Sequence, residues 1–325
     1  MISRRTVLSG SVALLSVRPA RAVRVNPRPH TVSVLVGATE GSGYDRSARA
    51  FVPFLSRFMP GLDFAIHNVP GEAGMNAIRA LMDAPSRSLT LGWVATPTLA
   101  ARMIDRHDAS LMQRLRLLGA VEREPIAFVS PASAPLESVQ DMIQRAGADQ
   151  DAVPLGTPPP GSPPHLAVVR LQIVTQTRLN VVTFPSAAAA ARAVLAGNVS
   201  AAALGLSDVI GGLRDRQLVG LGLAARNRFG VLPELPILLE AGVNLSASIR
   251  RGLATPVGIG DEMAGRLIAA LKGIVADPDF LALADASGFL PTWMAGPEWT
   301  ALVERERVDL GKLWATEPWL QSSGG

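Results

Sequence analysis

The sequence has no cysteine, a single tyrosine, and aromatics at only 5% of its 325 residues. Without thiols there is no disulfide, no cysteine nucleophile and no cysteine-ligated metal. The compartment stays open on this point, because exported proteins can do without disulfides. Past residue 22, no apolar run reaches the roughly 18 residues of a membrane span. The four histidines, His30, His67, His107 and His165, are scattered and show no metal-ligand spacing. His165 stands apart because it sits in a proline-rich loop at a helix start, where a structural role and a ligand contact are both open. No Gly-x-Ser-x-Gly elbow occurs, since Gly205-Leu206-Ser207-Asp208-Val209 lacks the second glycine. Gly41-Ser42-Gly43-Tyr44-Asp45-Arg46 begins like a dinucleotide fingerprint, but Arg46 replaces the third glycine and no lysine suits a P-loop. Neither a cofactor nor a metal is expected.

Charge of one sign is also missing once the N-terminus is set aside. The formal net charge is +4, but residues 1–22 hold Arg4, Arg5, Arg18 and Arg21 and no acid. The rest carries 27 basic and 27 acidic side chains. A neutral chain without a basic, aromatic-studded stripe is not expected to bind nucleic acid. Met1 to Ala22 has the three parts of a secretory signal: a charged start, a short apolar stretch from Val7 to Val17, and Ala20-Arg21-Ala22 as a cleavage site. Cleavage after Ala22 would release the chain outside the cytoplasm, in the periplasm. Ser3-Arg4-Arg5-Thr6-Val7-Leu8 fits either a twin-arginine signal or an ordinary positive start.

What is present is a globular chain, 48% hydrophobic, with room for two modest domains or one large one. Val32 to Val36 reads as a strand. A glycine-rich turn follows, and a helix is predicted from Asp45 to Phe58, with Pro53 kinking or shortening it. Strand, glycine turn and helix start can form an anion site, because the first-turn N–H groups are unpaired and the helix dipole favours negative charge. The same stretch could also be a packing turn. Further strands are predicted at 62–69, 89–94, 115–121, 125–130, 153–156, 179–184, 199–206, 218–224 and 249–254. Helices are predicted between them, including 135–146, 166–177 and 186–196. Thr96-Pro97 is read as the start of a third helix. Three helical segments near 260–276, 277–287 and 296–314 close the chain. The alternation implies α/β units with parallel strands and right-handed crossovers. Ligands in such sheets sit beyond the carboxyl ends of strands, here the loops 37–45, 92–97 and 156–165.

Five stretches resemble the receptors of tripartite tricarboxylate transporters, the Bug family of extracytoplasmic solute receptors. They are Gly41 to Arg49, Asn68 to Gly74, Pro160-Gly161-Ser162-Pro163-Pro164-His165-Leu166, Leu232 to Gly242, and Gly252 to Gly258. The proline-rich stretch is the most specific, and the match covers about residues 31–315. The resemblance implies an α/β, two-domain Venus-flytrap fold of the periplasmic binding proteins, each domain a sheet flanked by helices. Domain one would be 31–127 plus 252–325 and domain two 128–251, with crossings near Phe128 and Arg251. It implies a non-enzymatic receptor, acting as a monomer, for a small organic acid or amino acid held in the cleft. Its partners would be membrane permease subunits. Exported hydrolases and orphan signalling receptors on the same scaffold are the alternatives.

The ligand-binding candidates are Ala38, Thr39, Glu40, Gly41, Ser42, Gly43, Tyr44 and Asp45 in the first loop. Thr96, Gly161, Ser162, His165, Ser186 and Asp208 join them from later loops and helix starts. Arg250 and Arg251 are assigned a solvated or hinge role and left outside the site. The chain departs from the family at Gly37 and Ala38, at Glu40 where proline is usual, and at Ser186 to Ala190. A carboxylate at Glu40 would repel an acidic ligand unless it points away or pairs with a ligand cation. That favours a ligand that is amphoteric or bears one carboxylate.

Overall fold

The computed structural model describes residues 30–85 and 89–320. The signal-like segment lies outside them. The chain opens with β1 (His30–Val36), α1 (Gly43–Phe58) and β2 (Leu62–Asn68). Then come α2 (Met75–Met82), β3 (Thr90–Thr96) and α3 (Thr98–Asp105). β2, β1 and β3 are parallel neighbours. α1 buries Ala48, Phe51, Val52 and Leu55 against this sheet, and Phe51 stacks on Trp93 with centroids 5.0 Å apart. Each fully buried aromatic or leucine of such a face stabilises by about 1.5–3 kcal/mol. Pro53 neither breaks nor shortens α1. It lies on the exposed face, so the carbonyl it leaves without an intrahelical donor is not sealed in the core. Pro97 caps α3 from outside and is not its first residue, behind a cis Thr96–Pro97 bond.

A short α4 (Leu111–Arg114) leads into β4, which runs unbroken from Leu115 to Pro131. The two strands expected at 115–121 and 125–130 are therefore one. Its first part pairs with β9 (Ser248–Pro256) and with β10 (Leu290–Ala295), both antiparallel. From Ile126 onward it pairs with β7 (Ala201–Gly205) and β8 (Leu218–Ala224). Pro125, which has no N–H to give a ladder, falls where the strand changes partners. Between these elements lie α5 (Val139–Ala148), β5 (Pro154–Thr157) and α6 (Pro163–Thr175). β6 (Asn180–Thr183), α7 (Ala187–Leu195) and α8 (Leu206–Arg214) complete the second half. α6 begins three positions earlier than the sequence suggested, with two prolines in its first turn.

The strand order is β2-β1-β3-β9-β4-β7-β5-β6, with β10 and β8 also on β4. β9 enters antiparallel, so the sheet is mixed. α9 (Asp261–Val275), α10 (Pro278–Ser287) and α11 (Gly296–Thr316) return to pack on the first half. β10 was not foreseen. Its sequence, LPTWMA, carries a proline and is only half-buried, so it lacks a strand pattern of its own. Among the described residues, no helix is long and apolar enough to cross a membrane.

Candidate functional site

A cavity of about 410 Å³ opens between the two halves of the sheet. The N-terminal turns of six helices reach its wall: α1 through Ser42 and Tyr44, α2 through Gly74, α3 through Thr98, α6 through Ser162, α7 through Ser186 and α8 through Asp208. Local sequence explains this. β3 and β7 run almost directly into α3 and α8, and the other helices start after short loops rich in glycine, proline and serine, so their first turns sit just beyond the sheet's edge. Ser42 and Ser186 accept hydrogen bonds from the third residues of their own helices. First-turn N–H groups and dipoles from several helices converge on one space, an arrangement that favours an anion.

The charged side chains on the wall are Glu72, Asp208 and Arg251. Glu72 is engaged by Arg79 at 2.9 Å and by Arg106 at 3.7 Å. Arg251 bonds to Glu122 at 2.8 Å and also to Glu124, all three being buried. The ring of Tyr44 lies 5.4 Å from its guanidinium carbon, and the Tyr44 hydroxyl donates to the Trp93 carbonyl at 2.7 Å. Burial pulls the guanidinium of Arg251 down, but Glu124 and Glu122 outweigh it and hold the group charged. Burial pushes the Glu122 carboxyl up. The Ser207 N–H donates to Glu124 at 2.6 Å. Arg251, the cation on this wall among the described residues, thus gives both terminal nitrogens to glutamates, while its Nε is buried without a hydrogen-bond partner.

Asp208 is the third of these groups, paired with the half-exposed Arg46 at 3.7 Å. Its side chain is 8% exposed and accepts from the Gly43 N–H at 3.1 Å. Burial, then the neighbouring Glu124, push its carboxyl up to about 6, against the pull of Arg251 and of Arg46. A Cβ on Gly43 would come within 2.2 Å of its Oδ1, so only glycine lets the two helix starts approach.

Of the residues read from the sequence, Ala38, Thr39, Ser42, Tyr44, Ser162, Ser186 and Asp208 line this cavity. The others lie outside its wall. Glu40 has a side chain that is 78% exposed and pairs with Arg49 at 3.2 Å, so it points away from the cleft. Asp45 is buried and organises the loop by accepting from Gly41 N–H, Arg49 and Asn68. Burial alone would push its carboxyl up, but these hydrogen bonds hold it below the usual range. Gly41 and Gly43 spend their N–H groups on Asp45 and Asp208. Thr96 accepts the indole N–H of Trp299 at 3.1 Å. His165 is buried, its Nδ1 faces the Gly161 N–H at 3.5 Å, and burial pulls the imidazole down to about 4. It is neutral and fastens the loop. Gly161 packs on Arg102 and Trp319. α6 also offers less than its position suggests, because Pro163 and Pro164 carry no N–H.

Arg251 is not solvated, as its exposure of 2% shows. Glu122 and Glu124 were missed altogether. The signal was present: Glu122-Arg123-Glu124 interrupts an apolar strand, and Arg250-Arg251 interrupts another.

A family profile described as "Tripartite tricarboxylate transporter family receptor" matches residues 61–313. The chain belongs to this family. Its members are solute-binding receptors, not enzymes. The receptor is similar to a curated Cupriavidus necator protein, "UPF0065 protein in gbd 5'region", at 20% identity over 96% of each chain. Among solved structures it resembles a Rhodopseudomonas palustris protein with adipate, with a TM-score of 0.82, 21% identity, and coverage of 88% of this chain and 97% of that one. MatC of Rhodopseudomonas palustris with bound malate gives a TM-score of 0.79 at 20% identity, over 87% and 98%. The periplasmic binding protein BugD gives 0.80 at 16%, over 90% and 99%. These likenesses establish the Venus-flytrap fold.

Proposed function

We propose that this receptor captures a small carboxylate-bearing solute in the periplasm and presents it to a tripartite tricarboxylate-type permease. The observation that carries the reading is the convergence of six helix N-termini on a cavity whose arginine is already spent on two glutamates. Such a site holds a carboxylate by N–H groups and hydroxyls, not by a salt bridge. The solved relatives with adipate and malate support this ligand class. Residues 31–127 plus 252–325 would form one lobe and 128–251 the other, closing by hinge motion about β4 and β9. Closure follows from the ligand's better contacts with the closed form.

Asp208 takes over the role in specificity that the sequence suggested for Glu40. A carboxylate beside it meets like charge, so the ligand bears one carboxylate, or adds an amine that faces Asp208. A thermal-shift screen of monocarboxylates, dicarboxylates and amino acids tests the reading, because a ligand specific to the native state raises the melting temperature. Monocarboxylates or amino acids should give the largest shifts. No shift with any carboxylate, or turnover of ester and amide substrates, would sink it.

A further inference from the structure

A second cavity, of about 620 Å³, lies against the opposite face of the β4–β9 ribbon. Side chains alternate across a strand, so neighbouring positions face opposite ways. Arg251 lines the first cavity, whereas Arg250 and Arg123 line the second. The register sets Arg123 directly opposite Arg250. Like charges opposed on adjacent strands are destabilising. Burial, and then Arg123, pull the Arg250 guanidinium below its usual range. α6 adds Arg170, and the loop after β8 adds Arg226 and Arg228. Arg228 is matched by Glu240 at 2.9 Å. The side chains of Arg123, Arg170, Arg226 and Arg250 have no hydrogen bond or ion pair among the described residues. The acid on this wall is Glu306, whose Oε2 is buried without a hydrogen-bond partner.

Four guanidinium groups without a direct partner face one wall carboxylate, Glu306, with Glu298 also acting on Arg250, and leave a positive excess. The fold does not require it, since an uncharged residue at 123 would complete the same strand pairing without repulsion. Three of the four arginines, Arg123, Arg170 and Arg250, are only part-exposed, so water relieves them incompletely. We propose that this cavity is a binding site for a small, multiply charged oxyanion of the phosphate or polycarboxylate type. Arginine suits that ligand because its planar fork donates two parallel hydrogen bonds to an oxyanion. The site is separate from the solute cleft and does not depend on what the cleft binds.

Titration calorimetry of the purified protein tests it, with inorganic phosphate and citrate as probes and chloride at matched ionic strength as reference. One site for phosphate or citrate is expected, and which of the two binds more tightly tells the phosphate from the polycarboxylate type. Arg123→Gln with Arg250→Gln should weaken the binding by about tenfold or more, as expected for losing charge-assisted hydrogen bonds. The same change should raise the melting temperature without added anion, because it removes the repulsion. Arg170→Gln, off the ribbon, should weaken binding and leave the fold as it is. Absence of anion binding above the chloride reference would overturn the proposal. So would binding that is unchanged in both the ribbon variant and Arg170→Gln.

Discussion

The carboxylate of Asp208 accepts a hydrogen bond from the Gly43 N–H at 3.1 Å, although 165 positions separate the two in the chain. An internal acid thus sits at the start of α1, where a bound carboxylate would otherwise profit from the helix terminus. Asn at 208 keeps an acceptor for Gly43 and removes the charge. Asp208→Asn should therefore tighten binding of simple dicarboxylates by about tenfold, the equivalent of about 1.4 kcal/mol of relieved repulsion. Amine-bearing acids should bind more weakly. Calorimetry at neutral pH reads both, and an unchanged dicarboxylate affinity would remove Asp208 from the specificity argument.

The same residue makes a pH prediction. Its carboxyl is raised to about 6 in the folded protein, above an ordinary value of 3.8. Between those values the folded state holds a proton that the unfolded chain has lost. Stability therefore falls as pH rises through this window, and the full penalty is present above it. His165, lowered to about 4 by burial, acts in the opposite sense, so the wild-type curve alone mixes both. The difference between Asp208→Asn and wild type separates them. The variant should be more stable at pH 7.5 and lose that advantage towards pH 4, as followed by urea unfolding.

Much of this was legible from the chain. Alternating strand and helix signals, and the motif around Pro160 to Leu166, carried the fold and the first-loop contribution to the site. What was not legible depended on partners far away in sequence. Glu40 and Asp208 look alike as acids near a helix start. Only tertiary packing turns one out to Arg49 and the other in towards Gly43. Arg251 read as solvated because charged residues are rarely buried unless paired, and its partners lie on β4, more than a hundred positions away. β4 itself read as two strands because Glu122-Arg123-Glu124 interrupts its apolar run, whereas here those residues stay in the strand and the partner changes just beyond them, between Pro125 and Ile126.

The buried triad supplies a stability prediction. Arg251→Gln would strand Glu122 and Glu124 in the interior without a counter-charge. Breaking one side of a buried ion pair costs about 3–5 kcal/mol. Urea unfolding should show a loss of that size. Neutralising the acids as well, with Glu122→Gln and Glu124→Gln, should restore a large part of it. A loss below about 1 kcal/mol for Arg251→Gln alone would match an exposed pair and not a buried one.

Gly41 and Gly161 both stand at positive φ, 77° and 73°, so alanine is strained at either. Their surroundings differ. A Cβ at Gly41 meets nothing within 4 Å, whereas at Gly161 it would lie 2.1 Å from Arg102 Nη2 and 2.7 Å from Trp319 Nε1. Those two atoms belong to a buried unit in which Asp105 joins Arg102 at 2.5 Å and accepts from Trp319 at 2.9 Å. Gly41→Ala should cost only the backbone strain, about 1–2 kcal/mol. Gly161→Ala should add the overpacking term, about 1–3 kcal/mol more, because rigid neighbours must shift. It should also move the loop that carries Ser162 to the cleft wall, weakening solute binding along with stability. Gly41→Ala should leave binding nearly intact, since Gly41 is outside that wall. Urea unfolding and calorimetry on the two variants give the comparison. Equal losses in both would show that the contact with Arg102 and Trp319 does not hold the Ser162 loop in place.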